Sequence, residues 1–152
     1  MLLKKSLSLF LTLAICIAVF ACSKRGICVR GDCRNGLGEM KYPGGARYKG
    51  RWKEGKREGQ GILTNPYAGQ YQGQWKDGKP HGQGTWIFPD GAKYEGQWRN
   101  GDWHGQGTMI FPDGRKYTGE WKNDVPHGQG KMTYPDGREL AGQFKNGKFV
   151  EQ

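Results

Sequence analysis

The sequence lacks an apolar run long enough to cross a membrane. Its N-terminal run, residues 7–20, has 14 residues, whereas a transmembrane helix needs about 20 apolar residues. Lys4 and Lys5 precede the run, and Ala21 supplies a small residue at a cleavage boundary. A basic start, a short apolar stretch and a small residue before the cleaved bond are typical of a secretory signal peptide. We therefore expect residues 1–21 to be removed on export.

Cysteine is also scarce, with four residues in the chain. Cys16 leaves with the signal peptide, and cleavage after Ala21 makes Cys22 the new N-terminus. Residues 19–22, Val-Phe-Ala-Cys, resemble the lipobox of bacterial lipoproteins, in which this cysteine carries the lipid. The resemblance implies lipid attachment at Cys22 and a linker over residues 22–27. Ordinary cleavage at the same bond, without a lipid, is the alternative.

The lipobox resemblance also implies a location. A protein processed in this way is exported and anchored in a membrane of the cell envelope. Because Ser23 rather than aspartate follows the cysteine, the resemblance implies the outer membrane where there is one. Without the lipid, the protein would be periplasmic or secreted.

Cys28 and Cys33 are the two cysteines that remain after processing. Four residues separate them, which suits a hairpin loop with the two opposite each other at about 4.5 to 5.5 Å between Cα atoms. That separation is within disulfide reach, and an oxidising compartment permits the bond. The pair is therefore a possible disulfide.

The chain repeats itself with a period of 23 residues. Four units begin with the pattern Tyr-x-Gly-x-Trp. Ten residues after each tyrosine stands a histidine, or Glu58 in the first of these units, followed by Gly-Gln-Gly. Self-similarity at such a period indicates a repeat architecture. The repeated residues are Tyr48, Gly50, Trp52, Tyr71, Gly73, Trp75, His81, Tyr94, Gly96, Trp98, His104, Tyr117, Gly119, Trp121 and His127.

Turn motifs divide each unit into two strands. Pro-Asp-Gly at residues 89–91, 112–114 and 135–137 reverses the chain, because proline presets φ and glycine accepts a positive φ. Each unit is thus a β-hairpin, and successive side chains of a strand point to opposite faces. One face should hold the tyrosines, glycines and tryptophans, and the other the polar residues between them. The second reversal falls at the Asp-Gly or Asn-Gly pairs of residues 77–78, 100–101 and 146–147.

A lone two-stranded hairpin is marginal in water, so the hairpins must stack to bury their rings. The predicted fold is all-β, with stacked antiparallel β-hairpins forming an elongated single-sheet repeat array. The array covers residues 28–152, with about five hairpin units and degenerate units at both ends. Because strands lie about 4.8 Å apart, each hairpin lengthens the sheet by roughly 10 Å.

These motifs and their 23-residue spacing resemble the MORN repeat family, which implies stacked antiparallel hairpins. The resemblance covers nearly the whole chain after the signal peptide. At the ends, residues 28–33 and 140–144 replace the Tyr-x-Gly-x-Trp strand, as expected of capping units. At residues 65–69, Asn-Pro-Tyr-Ala-Gly displaces the Pro-Asp-Gly turn. The sequence leaves open whether the array bends or loosens there.

The three histidines do not indicate a metal site. They recur one repeat apart and should lie about 10 Å from each other, whereas zinc ligands lie about 2.1 Å from the ion they share. A structural role near the turn is the favoured interpretation, and individual surface binding is the alternative. No nucleophile, base and orienting group can be discerned, so we expect neither catalysis nor a cofactor.

Basic residues outnumber acidic ones, with 24 Lys and Arg against 14 Asp and Glu. Loss of Lys4 and Lys5 with the signal peptide leaves 22 against 14, a net charge of about +8. Part of this charge forms a row, because one cation directly follows the tryptophan or phenylalanine of each unit. This basic row consists of Lys53, Lys76, Arg99, Lys122 and Lys145.

Two functions fit these features. The favoured one is a non-catalytic, membrane-anchored scaffold for protein–protein interaction or envelope structure, with an unidentified protein partner. The alternative is a membrane-surface module whose basic row binds anionic lipid headgroups, as the family resemblance suggests. The row could equally be a solvated face that keeps the sheet soluble. No nucleic-acid partner is expected, because no base-stacking platform is visible.

Overall fold

The computed structural model describes residues 26–150. The expected signal peptide, the expected lipid-modified Cys22 and all but the last two residues of the linker lie outside the described residues. Among residues 26–150, no helix has the length and apolar character that crossing a bilayer requires.

Twelve antiparallel strands form one sheet in which every strand neighbours the next one in sequence. The only helical element in the described part of the chain is a 3-10 turn at Pro43–Gly45. The prediction of an all-β array of stacked hairpins is therefore confirmed. The strands are β1 (Ile27–Gly31), β2 (Leu37–Lys41), β3 (Arg47–Lys53), β4 (Lys56–Asn65), β5 (Gly69–Lys76), β6 (Lys79–Ile87), β7 (Lys93–Arg99), β8 (Asp102–Ile110), β9 (Lys116–Lys122), β10 (Val125–Thr133), β11 (Glu139–Lys145) and β12 (Lys148–Phe149).

From β3 onward, each odd-numbered strand is joined to the next strand by a two-residue turn in which both residues have a positive φ. The pair 77–78 has φ values of 50° and 82°, the signature of a type I′ turn, whose twist matches that of the strands. The same turn occurs at residues 123–124, where Asn123 and Asp124 have φ values of 50° and 65° without any glycine. Sequence reasoning missed this turn because it looked for glycine, although Asn and Asp also tolerate the left-handed region.

The aromatic residues of the repeats form a continuous core on one face of the sheet. The repeat tyrosines have no exposed surface, and the repeat tryptophans are 3–5% exposed. Tyr71 meets Trp75 of its own strand and Trp98 of the next unit edge to face, with both ring centroids 5.0 Å away. Tyr94 meets Trp98 and Trp121 in the same way. The rings therefore link each hairpin to the next.

Paired glycines let the tyrosine rings lie against the backbone. Gly73 of β5 is paired with Gly84 of β6 beneath Tyr71. A Cβ added at Gly84 would lie 2.6 Å from Cε2 of Tyr71, and one added at Gly73 would lie 2.5 Å from Cα of Gly84. No side chain fits in this space. The equivalent glycine pairs beneath the other repeat tyrosines are Gly50–Gly61, Gly96–Gly107 and Gly119–Gly130.

The atypical segment at residues 65–69 does not interrupt the array. The pairing of β4 with β5 runs without a register shift from Gly59–Trp75 to Asn65–Gly69. In addition, the indole nitrogen of Trp86 donates a hydrogen bond to the carbonyl of Ala68 at 2.9 Å. The displaced turn is therefore held in place by the next hairpin.

The C-terminal unit closes the core with different residues. Phe144 replaces the tryptophan and is 5% exposed, whereas Leu140 replaces the tyrosine and is 40% exposed. Phe149 of β12 packs edge to face on Phe144, with 5.4 Å between ring centroids. Its ring also lies beside Gly142, so it covers the end of the aromatic core.

We predict that Gly84→Ala lowers the free energy of unfolding by about 2 kcal/mol, the usual scale for an overpacked core. The added methyl group would meet the buried Tyr71 ring and the backbone, and neither can move away easily. Urea denaturation of the full chain measures the effect. Gln83→Ala, one residue away and exposed, is the control and should change the free energy by less than about 0.5 kcal/mol. Equal effects of the two changes would contradict the proposed glycine packing.

Candidate functional site

The aromatic side chains of the repeats stabilise the fold through hydrogen bonds within the sheet. The Tyr71 hydroxyl donates to the carbonyl of Gln74 at 2.8 Å, three residues along its own strand. The indole nitrogen of Trp75 donates to the carbonyl of Gly61 in the preceding hairpin at 3.2 Å. The same two bonds recur at the other repeat tyrosines and tryptophans. The polar groups of these rings are thus satisfied within the sheet.

Each repeat also contains a β-bulge that sequence reasoning missed. The first glycine of Gly-Gln-Gly has a left-handed φ, 61° at Gly82, and the strand register shifts there. The side-chain oxygen of Gln74 accepts the hydrogen bond of the Gln83 N–H at the bulge, at 3.1 Å. Gln97 and Glu120 accept the equivalent bonds from Gln106 and Gln129, at 3.2 and 2.8 Å. A polar acceptor at this position therefore has a structural role.

The repeat histidines lie on separate hairpins, on β6, β8 and β10, and each is half-buried. No group of three or more His, Cys, Asp or Glu side chains in residues 26–150 could hold a metal ion. Glu58 occupies the histidine position of an earlier unit, and its carboxylate accepts the N–H of Asp77 in the next turn at 3.1 Å. This contact supports a structural role for the position.

Cys28 and Cys33 form a disulfide with 5.9 Å between their Cα atoms. They are not opposite each other on two strands, as the spacing suggested. Cys28 pairs with Met40 of β2, and Cys33 lies in the loop between β1 and β2. The loop is longer than a two-residue turn, so the bond ties it back to β1 and brings Cys33 against the aromatic core.

The basic row lies at the ends of strands β3, β5, β7, β9 and β11, and all five cations are exposed. They alternate with the buried tryptophans, so they belong to the polar face. Acidic groups lie close to the row. Asp77 lies in the turn after Lys76 and pairs with Lys56, with 3.0 Å between Oδ1 and Nζ, and Asp102 is the strand partner of Arg99. The row therefore carries part of its own counter-charge.

A groove runs along the polar face. Its first part, which we call the trough, has a volume of about 400 Å³ and extends from β1 to β5. Leu37, 70% exposed, and Ile62 contribute its apolar surface, and Arg30 and Lys49 are among its polar lining residues. A second depression of about 440 Å³ continues over β4 to β7. Sequence reasoning missed the trough, although Leu37 stands where later units carry glutamine.

The fold and its surfaces define a class of protein: a non-globular repeat protein whose one face forms the core and whose other face is free. The sequence pattern of the MORN repeat matches residues 48–66, 71–93, 94–114 and 117–137. The chain belongs to the MORN repeat family. This repeat type is non-catalytic and is generally associated with protein and membrane interactions. Among curated proteins, none matches the chain.

The buried tyrosines make the fold sensitive to alkaline pH. Burial raises the pKa of Tyr48 and of Tyr117 to about 12, and it also raises the pKa of Tyr71 and Tyr94. In the unfolded chain, a tyrosine ionises at about pH 10. Between these values, ionisation favours the unfolded chain, so the stability present below pH 10 is lost as the pH rises toward 12.

We predict a nearly constant melting temperature from pH 7 to 9 and a steep fall above about pH 10, where unfolded-state tyrosines ionise. Thermal unfolding by circular dichroism measures this, and tyrosinate absorbance should appear together with unfolding. Lys76→Gln is a control for general charge effects and should show the same pH profile. Ionisation of the buried tyrosines in a fully folded chain would contradict the prediction.

Proposed function

We propose that the protein is a non-catalytic scaffold that binds a partner protein along the polar groove. The observation that carries this proposal is the groove itself, which extends over the first seven strands on the face that the core does not use. Gln60 and Gln72 line both of its parts and keep their amide groups on its surface. Such an extended, regular surface suits the docking of another chain.

The composition of the groove supports a binding role over a catalytic one. Its lining consists mainly of glycine, glutamine and aliphatic side chains, with few titratable groups. Catalysis by acid and base groups requires such groups within hydrogen-bond reach of each other. The carboxylate of Glu39, which lines the trough, is instead paired with Arg47 at 3.3 Å.

Anionic lipid headgroups remain the second candidate partner, because of the basic row. An exposed cation near an anionic membrane contributes about 1 kcal/mol, an effect that decays within a Debye length. Asp77 and Asp102 lie beside the row and reduce its net attraction. We therefore rank membrane-surface binding by this row below protein docking in the groove.

Site-directed photo-crosslinking in the native membrane fraction tests the scaffold proposal. With a photo-reactive amino acid at Gln72 or Gln83, in the groove, we expect one partner protein to be crosslinked. The matched control position is Asp113, which is exposed in the turn between β8 and β9, and it should yield no such product. A product that forms equally at Asp113, or none at either groove position, would refute the proposed docking surface.

We further propose that lipid on Cys22 holds the scaffold at the envelope membrane. Lipoprotein processing attaches more than one acyl chain, which holds far more firmly than the marginal binding of a single chain. We predict acyl mass on the parent chain and release of Cys22→Ser into the soluble fraction, measured by mass spectrometry and fractionation. Cys16→Ser, within the expected signal peptide, is the control and should fractionate like the parent. A parent chain without acyl mass that fractionates like Cys22→Ser would rule out the anchor.

A further inference from the structure

The excess positive charge of the protein is concentrated at one end of the array. Residues 24–57 contain eleven Lys and Arg but three Asp and Glu, whereas residues 58–152 contain eleven of each. The net charge of about +8 expected after processing therefore belongs to residues 24–57, and the described part of this segment, residues 26–57, holds nine of the cations and all three acidic residues. Arg30 and Lys49 place part of it on the lining of the trough.

The later repeats show which residues the fold itself requires. Lys49 corresponds to Gln72, Glu95, Thr118 and Ala141 in the following units, none of which is a cation. The residue that corresponds to Leu37, which faces the trough, is a glutamine in all four later units. The residue that corresponds to Arg51 is a glutamine or a glutamate. The counterparts of Leu37 are Gln60, Gln83, Gln106 and Gln129, and those of Arg51 are Gln74, Gln97, Glu120 and Gln143.

Arg51 also lacks a structural hydrogen bond that its counterparts in later units form. Its counterparts Gln74, Gln97 and Glu120 accept a backbone N–H at the bulge of their hairpins. A guanidinium has only donors, so Arg51 cannot accept the equivalent bond from Gln60. Its side chain lies along the bulge instead, with Cδ 3.4 Å from the position of a Cβ at Gly59. Selection for packing and hydrogen bonding alone would favour glutamine here.

We propose that the trough, together with the cations Lys49 and Arg51, binds an extended acidic segment of a partner protein, with an apolar side chain of that segment on Leu37 and Ile62. This inference rests on the proposed scaffold function and names the chemistry of the partner. The trough extends over five strands, which span about 19 Å, equivalent to roughly six extended residues. Lys49 and Arg51 pair with the carboxylates of the segment, and Gln60 and Gln72 hydrogen-bond to its peptide groups.

Charge and hydrogen bonding favour this occupant over two others. A second copy of the chain would bring another strongly basic end against the first, and the two would repel each other. The carboxylate of Glu39 lies in the trough, where a peptide N–H can donate a hydrogen bond to it, whereas a lipid phosphate can only accept hydrogen bonds.

The test uses the full chain in nonionic detergent and a fluorescein-labelled probe peptide, one phenylalanine between two runs of four glutamates. Lys49→Thr with Arg51→Gln introduces residue types that occur at these positions in later units, so the fold is preserved. We expect this double variant to weaken peptide binding about tenfold, the scale of two exposed ion pairs. Leu37→Gln should weaken it about threefold, and the effect of salt on binding should be smaller in the double variant. The matched control is Lys76→Gln with Lys122→Gln, which removes two cations away from the trough and should change the affinity less than twofold.

Several outcomes would overturn the inference. These are no binding of the probe, equal losses in the double variant and its control, or undiminished binding of a probe whose phenylalanine is replaced by glycine. Tighter binding to phosphatidylglycerol vesicles than to the peptide, lost in the same double variant, would assign the site to lipid instead. If the probe peptide does not bind but a partner protein is still crosslinked at Gln72 and Gln83, the acidic-segment inference fails while the scaffold proposal stands.

A stability measurement separates binding from folding. Arg51→Gln alone should raise the melting temperature by about 2–6 °C, because it restores one hydrogen bond at the bulge, while it weakens peptide binding. Opposite changes in stability and affinity would show that Arg51 serves the ligand. A fall in both would show that Arg51 serves the fold and would overturn its assigned role.

Discussion

The close contact of a tyrosine ring with two paired glycines is the constraint on which the rest of this structure depends. A single sheet has no second layer to cover its apolar face. Here the Tyr71 ring lies along its own strand over Gly73 and Gly84, and its hydroxyl reaches the carbonyl of Gln74. Because the ring lies against the backbone, tryptophans of two hairpins can meet it edge to face. One sheet thereby obtains a buried core, at the cost of a glycine pair in every unit.

This constraint explains why local pattern predicted so much of the fold. The period-two alternation around Tyr94 and Trp98, the turn at residues 77–78 and the 23-residue spacing are each encoded within one unit, so they could be read without coordinates. The position of the aromatic residues on one face followed from the same alternation. Stacking followed because a single hairpin cannot bury its rings.

What sequence reasoning missed depends on relations between strands. At the Gly82 bulge, the side chain of Gln74 accepts a hydrogen bond from the N–H of Gln83, nine residues further along the chain. This structural role of Gln74 depends on the register shift between the two strands, which a local sequence pattern does not reveal. The trough depends on how five strands lie together, so the sequence analysis did not single out Leu37. The alignment of Leu37 with the glutamines of later units would have identified it. Cys33 was placed opposite Cys28 because the loop was assumed to be a tight hairpin.

Because the core lies entirely on the aromatic face, the side chains of the polar face can vary without disturbing it. On the aromatic face, a substitution at Tyr71 or Gly84 affects the contacts of two hairpins. On the polar face, the counterparts of Lys49 include amide, carboxylate, hydroxyl and methyl side chains, and the strands pair in the same way in each case. A repeat protein of this kind can therefore change its binding chemistry one unit at a time without loss of the core.

The basic end of the array is also the end with the weakest repeat pattern, and these two properties are connected through stability. Clustered cations repel each other, Arg51 lacks the acceptor found in later units, and β1 carries no Tyr-x-Gly-x-Trp pattern. In a linear array, stability is approximately a sum over units and their interfaces, so a strained terminal unit is not rescued by distant ones. The Cys28–Cys33 disulfide lies in this terminal hairpin, where restriction of the unfolded loop offsets such losses. A stabilised terminal hairpin can then retain cations that the repeat itself would not select.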